Sequence, residues 1–207
     1  MELKNIIAAV TLSLAIIILY SLFFQPSPEE MKKLRTEKEK KELIENSEAP
    51  SLDGSENFAK ISRKDAIDKT KRVFFENENV IGSISLKGAT IDDLVFKNYK
   101  ISLEKKEKVI LLNPKDIKNG YSIESGFVTN SKNIQVPNSS TEWKVLGNKK
   151  LTNNNPIKLV WSNNQGITFE KNISLDDQFL FTVREKVINS SDKTYNFYSY
   201  GQIIRNQ

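Results

Sequence analysis

The chain has 207 residues, with 31 Lys and Arg against 26 Asp and Glu, for a net charge of +5. It contains neither cysteine nor histidine. That excludes disulfides, thiolate metal sites and a Cys nucleophile, and it removes the commonest general base and metal ligand, which bears against an enzyme.

Residues 6–24 read IIAAVTLSLAIIILYSLFF, an uncharged run of 19. As a helix it reaches roughly 28 Å, close to the hydrocarbon thickness of a bilayer. A secretory signal has a shorter apolar core, about 7–15 residues, followed by a small-x-small cleavage site. Here the sequence continues Gln25-Pro26-Ser27-Pro28, so residues 1–27 read as an uncleaved transmembrane signal anchor. The flanking charges orient it poorly. Lys4 stands before the run, and Lys32, Lys33, Arg35, Lys38, Lys40 and Lys41 stand after it, so a plain count places the following residues in the cytoplasm.

Residues 28–70 form a charged helix and flexible linker. Pro28, Glu29 and Glu30 open a helix with acids at its positive end, and Glu37 and Lys41 can pair one turn apart. Pro50, Gly54 and several serines mark the linker, with a short helix near 63–69.

From residue 71 the texture becomes β, with short Val/Ile/Phe runs between Asn, Gly, Ser and Asp clusters. Strands are predicted at 72–76, 80–86, 91–99, 109–112, 121–124, 143–146, 157–161, 167–175, 179–189 and 194–204. The clearest is 167–175, where Ile167, Phe169, Ile173 and Leu175 share one face and Lys171 is the only polar member of that face. The last four strands read as an antiparallel meander. Residues 113–155 read as long loops with edge strands. Ten short strands and no long helix make residues 71–207 a single mainly β domain of two packed antiparallel sheets, which reads as truncated at its C-terminus. Beyond residue 70 there are 20 basic and 14 acidic residues, scattered without a nucleic-acid motif, so a lipid bilayer is a better partner than nucleic acid.

Little in the sequence points to chemistry. The Gly82 to Gly88 spacing lacks the context of a phosphate loop. Asp92-Asp93 and Asp176-Asp177 read as turn or strand-edge acids in solvent rather than acid–base pairs. Trp143, Trp161 and the aromatics at 195–200 read as core, with a ligand groove as the alternative. No catalytic, cofactor-binding or metal-ligating residue is assigned, and no cofactor is expected.

Three stretches carry a resemblance: the N-terminal MELKNIIAAVTLSLAIIILYSLFF, VIGSISLKGATI at 80–91, and WSNNQGITFEKNISLDDQFLFTVREKVIN at 161–189, with YSYGQIIRNQ closing the chain. Together they resemble the YidC family of membrane protein insertases of Gram-negative bacteria. The resemblance implies a cytoplasmic N-terminus, one crossing of the inner membrane and a periplasmic β-supersandwich like that of sugar mutarotases. This is the opposite orientation to the charge count. It further implies a non-catalytic scaffold whose partners are nascent membrane proteins and Sec translocon components. The family's insertase activity resides in later transmembrane helices that this sequence does not contain, so none of its functional residues is carried over. A signal-anchored periplasmic sugar-binding domain and an envelope-complex adaptor are the alternatives.

Overall fold

The computed structural model describes Lys4, residues 11–14, Lys32, 61–131 and 133–206. Two compact units divide the chain, Met1–Asn46 and Ser47–Gln207. Lys4, residues 11–14 and Lys32 are helical. The remainder of the predicted anchor and most of the charged helix and linker lie outside the described residues. Among the described residues no helix is long and apolar enough to cross a membrane.

The first described element of the second unit is α1 (Arg63–Asp68). Ser62 caps it, its hydroxyl oxygen accepting from the Asp65 backbone N–H at 3.2 Å, which satisfies one of the orphan donors at a helix start. Ala66 is the buried residue of this helix.

Eleven strands follow: β1 (Arg72–Glu76), β2 (Val80–Ser85), β3 (Thr90–Lys100), β4 (Lys108–Leu112), β5 (Tyr121–Thr129), β6 (Lys144–Leu146), β7 (Lys150–Leu151), β8 (Ile157–Ser162), β9 (Ile167–Leu175), β10 (Phe181–Asn189) and β11 (Phe197–Arg205). One sheet runs β11-β5-β3-β2-β1-β7, and the other β10-β9-β8-β6. The outer edge of long β3 is shared, since Ile91 faces Ile123 of β5 while Leu94 and Val95 pair with Leu112 and Ile110 of β4. Every pairing between named strands is antiparallel except β1 with β7.

The alternation expected of β9 is present. Ile167, Phe169, Lys171, Ile173 and Leu175 are all buried. Their sheet meets the first through aromatic contacts: Phe127 on β5 lies 5.0 Å from Phe169 on β9 between centroids, and Phe75 on β1 lies 5.0 Å from Phe181 on β10, edge-on. One cluster of buried apolar side chains joins the sheets, from Val73 and Phe75 on β1 through Ile84 on β2 to Leu159 on β8 and Ile173 on β9.

Two predicted features change. The last four strands are not one meander. β8, β9 and β10 are, but β11 crosses to the other sheet and pairs with β5 over nine residues, from Phe197 opposite Thr129 to Arg205 opposite Tyr121. The crossing sets the Phe197 ring edge-on to Phe169 at 5.4 Å, where it is half-buried against the core cluster. β5 is also longer than predicted and lies inside its sheet, between β11 and β3. Its buried positions include Ser122, Glu124 and Gly126, while Ile123 is exposed, which inverts the usual apolar-in pattern.

Gly82 is fixed by packing. A Cβ there would lie 1.9 Å from the Asp93 carbonyl oxygen and 2.6 Å from the Phe75 ring. The β8–β9 turn needs Gly166 for a different reason, its φ of +83°.

Candidate partner-binding groove

β10 and β11 are the end strands of their respective sheets. Between them opens a groove of about 700 Å³ lined by Phe127, Val183, Val187, Tyr195, Phe197 and Tyr198, with Glu185 and Asn196 supplying polar atoms. Tyr195 and Phe197 lie 6.2 Å apart between ring centroids and form part of its wall. Of the aromatics singled out in the sequence, Tyr195, Phe197 and Tyr198 reach the groove. Trp143 is buried in the core, and Trp161 packs against Phe169 at 5.8 Å.

Behind the groove lies a buried charge cluster. Lys171, 1% exposed, donates to the Ser125 backbone carbonyl and to Ser125 Oγ at 3.0 Å, and its Nζ stands 3.3 Å from Glu185 Oε1. Ser125 Oγ in turn donates to Glu185 Oε1 at 2.8 Å. The ammonium also sits 5.3 Å from the centroid of the Trp143 ring. Burial holds the Lys171 pKa below the usual lysine range, while the Glu185 and Glu124 carboxylates pull it back upward. With its donors spent on Ser125 and Glu185, this amine braces the groove from behind and is not presented as a nucleophile.

Glu124 is a buried acid beside this cluster. It accepts from Lys115 Nζ at 3.0 Å, from Gln202 Nε2 at 3.2 Å and from Thr90 Oγ1 at 3.4 Å. Tyr200 lies in a narrow crevice with Glu124, Gly126, Pro137 and Trp143. Its phenol is pushed up to about 12, first by burial and then by the Glu124 and Glu185 charges.

The paired acids of the sequence separate into two kinds. Asp176 makes an Asx-type turn, its Oδ1 accepting from the backbone N–H groups of Gln178 and Leu180 at 2.9 Å each, as its turn reading requires. Asp92 and Asp93 are not solvated edge residues; both are buried within β3. The pairing of β2 with β3 shifts there: Ser83 faces Asp93 and Ile84 faces Ile91, so Asp92 is the extra residue of a β-bulge. Each acid meets its own guanidinium, Asp92 that of Arg72 and Asp93 that of Arg63 from α1. Ser83 joins the two, accepting from Arg72 Nε at 2.7 Å and donating to Asp93 Oδ2 at 2.5 Å. Burial raises the Asp92 carboxyl above the ordinary range against the opposing pull of Arg72. With both carboxylates bound this way, the cluster is structural. Among the described residues no group of three or more acidic side chains could hold a metal ion.

The fold and the groove narrow the class without naming it. Residues 72–207 match the family model of the YidC periplasmic domain. The chain belongs to the YidC family. It is 64% identical over its whole length to the membrane protein insertase YidC of Pelagibacter ubique, covering 37% of that protein. It is 35% identical over 97% of its length to the YidC insertase of Rickettsia prowazekii, covering 35% of it, and 39% identical over 71% of its length to that of Allorhizobium ampelinum. The chain thus spans little more than a third of the YidC relatives it matches most fully. The matched residues contain the groove and both buried charge clusters apart from Arg63 on α1.

Proposed function

We propose that the chain is the membrane anchor and periplasmic β domain of a bacterial inner-membrane insertase, which assists hydrophobic segments of nascent membrane proteins into the bilayer, alone or with the Sec translocon. The observation that carries this reading is the whole-chain identity to relatives named as insertases, which includes the N-terminal apolar run as well as the domain. In this reading residues 1–27 are the anchor with a cytoplasmic N-terminus, 28–70 the tether, and 71–207 a mutarotase-like supersandwich in the periplasm. The domain is a non-catalytic scaffold. Support for that role comes from the lack of histidine and cysteine and from the saturated partners of Lys171.

The test is complementation. In cells depleted of their own insertase, the protein with its natural continuation should restore insertion of an insertase-dependent single-span substrate, and removing residues 1–27 should abolish the rescue. A coding sequence that continues past Gln207 without further apolar segments of about 20 residues overturns the reading.

A sugar-binding role for the groove has one observation in its favour, the placing of Tyr195 and Tyr198 beside Asn196 and Glu185. Calorimetry with a panel of periplasmic glycans decides it, and absence of heat across the panel removes it.

A further inference from the structure

The end of the domain formed by the β3–β4 and β9–β10 turns exposes an apolar ridge that neither the groove nor the buried clusters use. Residues 101–107, ISLEKKE, close the β3–β4 hairpin, with the Ile101 N–H donating to the Glu107 carbonyl at 3.0 Å. At its tip Leu103 is fully exposed, and Ile101 is 57% exposed. Behind the tip, Tyr99 and Phe179 are both exposed and lie 6.5 Å apart, each edge-on or tilted to Phe96 at 5.4 and 5.8 Å. Leu180 extends the ridge from the neighbouring turn, 63% exposed. An exposed run of this kind on a polar domain marks an interaction surface.

The charges on the same hairpin select the partner. Lys100, Lys105, Lys106 and Lys108 stand against Glu104 and Glu107, a surplus of two positives in nine residues. Glu78 and Asp177 are exposed beside Asn98 and Phe179, so the positive surplus belongs to the hairpin itself, and two other nearby acids are engaged elsewhere. Glu76 pairs with Lys97 and Lys150, and Asp176 caps its own turn. Leucine, isoleucine and aromatic rings flanked by lysines are the composition that enters the headgroup–acyl boundary of a bilayer, with ammonium groups at the phosphates. A protein partner would more often present a groove to such a ridge than follow its lysine collar.

We propose that the β3–β4 hairpin docks on a lipid bilayer carrying anionic headgroups, inserting Leu103 and Ile101 and seating Tyr99, Phe179 and Leu180 at the interface. From the insertase reading it takes only the nearness of the domain to a membrane. Reach is no obstacle: residues 25–60 number 36, which span roughly 54 Å even as a helix.

The chain has no cysteine, so single labels are unambiguous. The chain of residues 1–207 carrying Leu103→Cys, Asp116→Cys or Leu14→Cys is labelled with an environment-sensitive fluorophore. It is then reconstituted in vesicles containing phosphatidylglycerol, with and without lipid-borne nitroxide quencher. Asp116, on the loop between β4 and β5, reports a position away from the ridge, and Leu14 reports insertion of the apolar run. The expected result is a blue shift and quenching at 103 but not at 116. Each lysine near an anionic surface contributes a factor of roughly five, so adding Lys105→Gln and Lys106→Gln should lower the docked-to-free ratio roughly 25-fold. Quenching at 14 but not at 103 overturns the proposal and leaves the anchor reading standing. A shift at 103 without nitroxide quenching means contact with protein, and quenching indifferent to the lysine changes means docking without headgroup recognition; either result also overturns it.

Discussion

Replacing Glu185 by Gln leaves the Lys171 ammonium buried without its nearest counter-charge. At the observed 3.3 Å separation and an effective dielectric near 20, the lost attraction is about 5 kcal/mol. Two effects reduce it. The glutamine does not suffer the desolvation of a carboxylate, and Glu124 still favours the Lys171 cation. A net loss of about 2–4 kcal/mol at neutral pH follows, within the range for breaking a buried ion pair from one side. The pH dependence has a definite sign. A lysine whose folded pKa lies below its unfolded value of 10.5 binds fewer protons folded than unfolded between those two values, so stability rises with pH across that window. Removing Glu185 takes away a contribution that raises the folded pKa, so the window should begin at lower pH in the variant and its deficit should shrink on alkalinisation. Urea denaturation in mild detergent, followed by the fluorescence of Trp143 and Trp161, measures this directly. The double variant Lys171→Met with Glu185→Leu removes both charges and should lie within about 1.5 kcal/mol of the parent. A Glu185→Gln cost below about 0.5 kcal/mol, or a double variant as poor as the sum of the singles, would refute the reasoning.

Three further outcomes are expected. Arg72→Gln strands the buried Asp92 carboxylate and should cost about 3–5 kcal/mol at pH 7 in the same assay. Because burial already holds Asp92 above its ordinary pKa, the folded state takes up its proton first on acidification, so this deficit should narrow as pH falls toward 4. Gly82→Ala drives a methyl into the Asp93 carbonyl and the Phe75 ring, and should cost about 3 kcal/mol or more, with circular dichroism reporting loss of the folded domain. Tyr200, pushed up to about 12, should remain mostly protonated at pH 11, where an ordinary phenol is ionised; the difference absorbance between parent and Tyr200→Phe at that pH should be near zero.

β8 and β9 were legible because their buried apolar residues, Ile157 and Leu159 on one and Ile167, Phe169, Ile173 and Leu175 on the other, recur at alternate positions. β9 was recognisable from four apolar residues at every second position, and the fifth position, Lys171, carried information that went unused. A lysine on the inward face of an otherwise apolar strand has to find acids, and Glu185, on the very next strand, directly opposite in the ladder, is the partner it finds. β5 was predicted only over 121–124, and its full length and interior place were missed for the converse reason. Ser122, Glu124 and Gly126 occupy its buried positions, so periodicity shows no apolar face until the partners Lys115 and Gln202 are seen. The groove was present only as the alternative reading of the aromatics at 195–200, because its walls depend on β11 leaving β10 for the other sheet. Nothing local to residues 189–197 distinguishes that crossing from a hairpin turn.

Asp92 and Asp93 show why spacing alone misleads. In a regular strand adjacent side chains point to opposite faces, so two consecutive acids suggest that at least one meets solvent. The bulge lets both acids be buried, and it does so where α1 and β1 each supply an arginine. The arrangement also guards the register of β3. A slip of one residue against β2 would exchange Asp93 for Leu94 or Asp92 opposite Ser83, breaking the serine relay and leaving Arg72, whose side chain is 3% exposed, or Arg63 without its carboxylate. Since β3 is the strand that both β4 and β5 pair with, an error there would propagate to β11 and to the groove wall it forms. The buried acids therefore serve the candidate binding surface at a distance: they hold the one strand whose position determines where that surface stands.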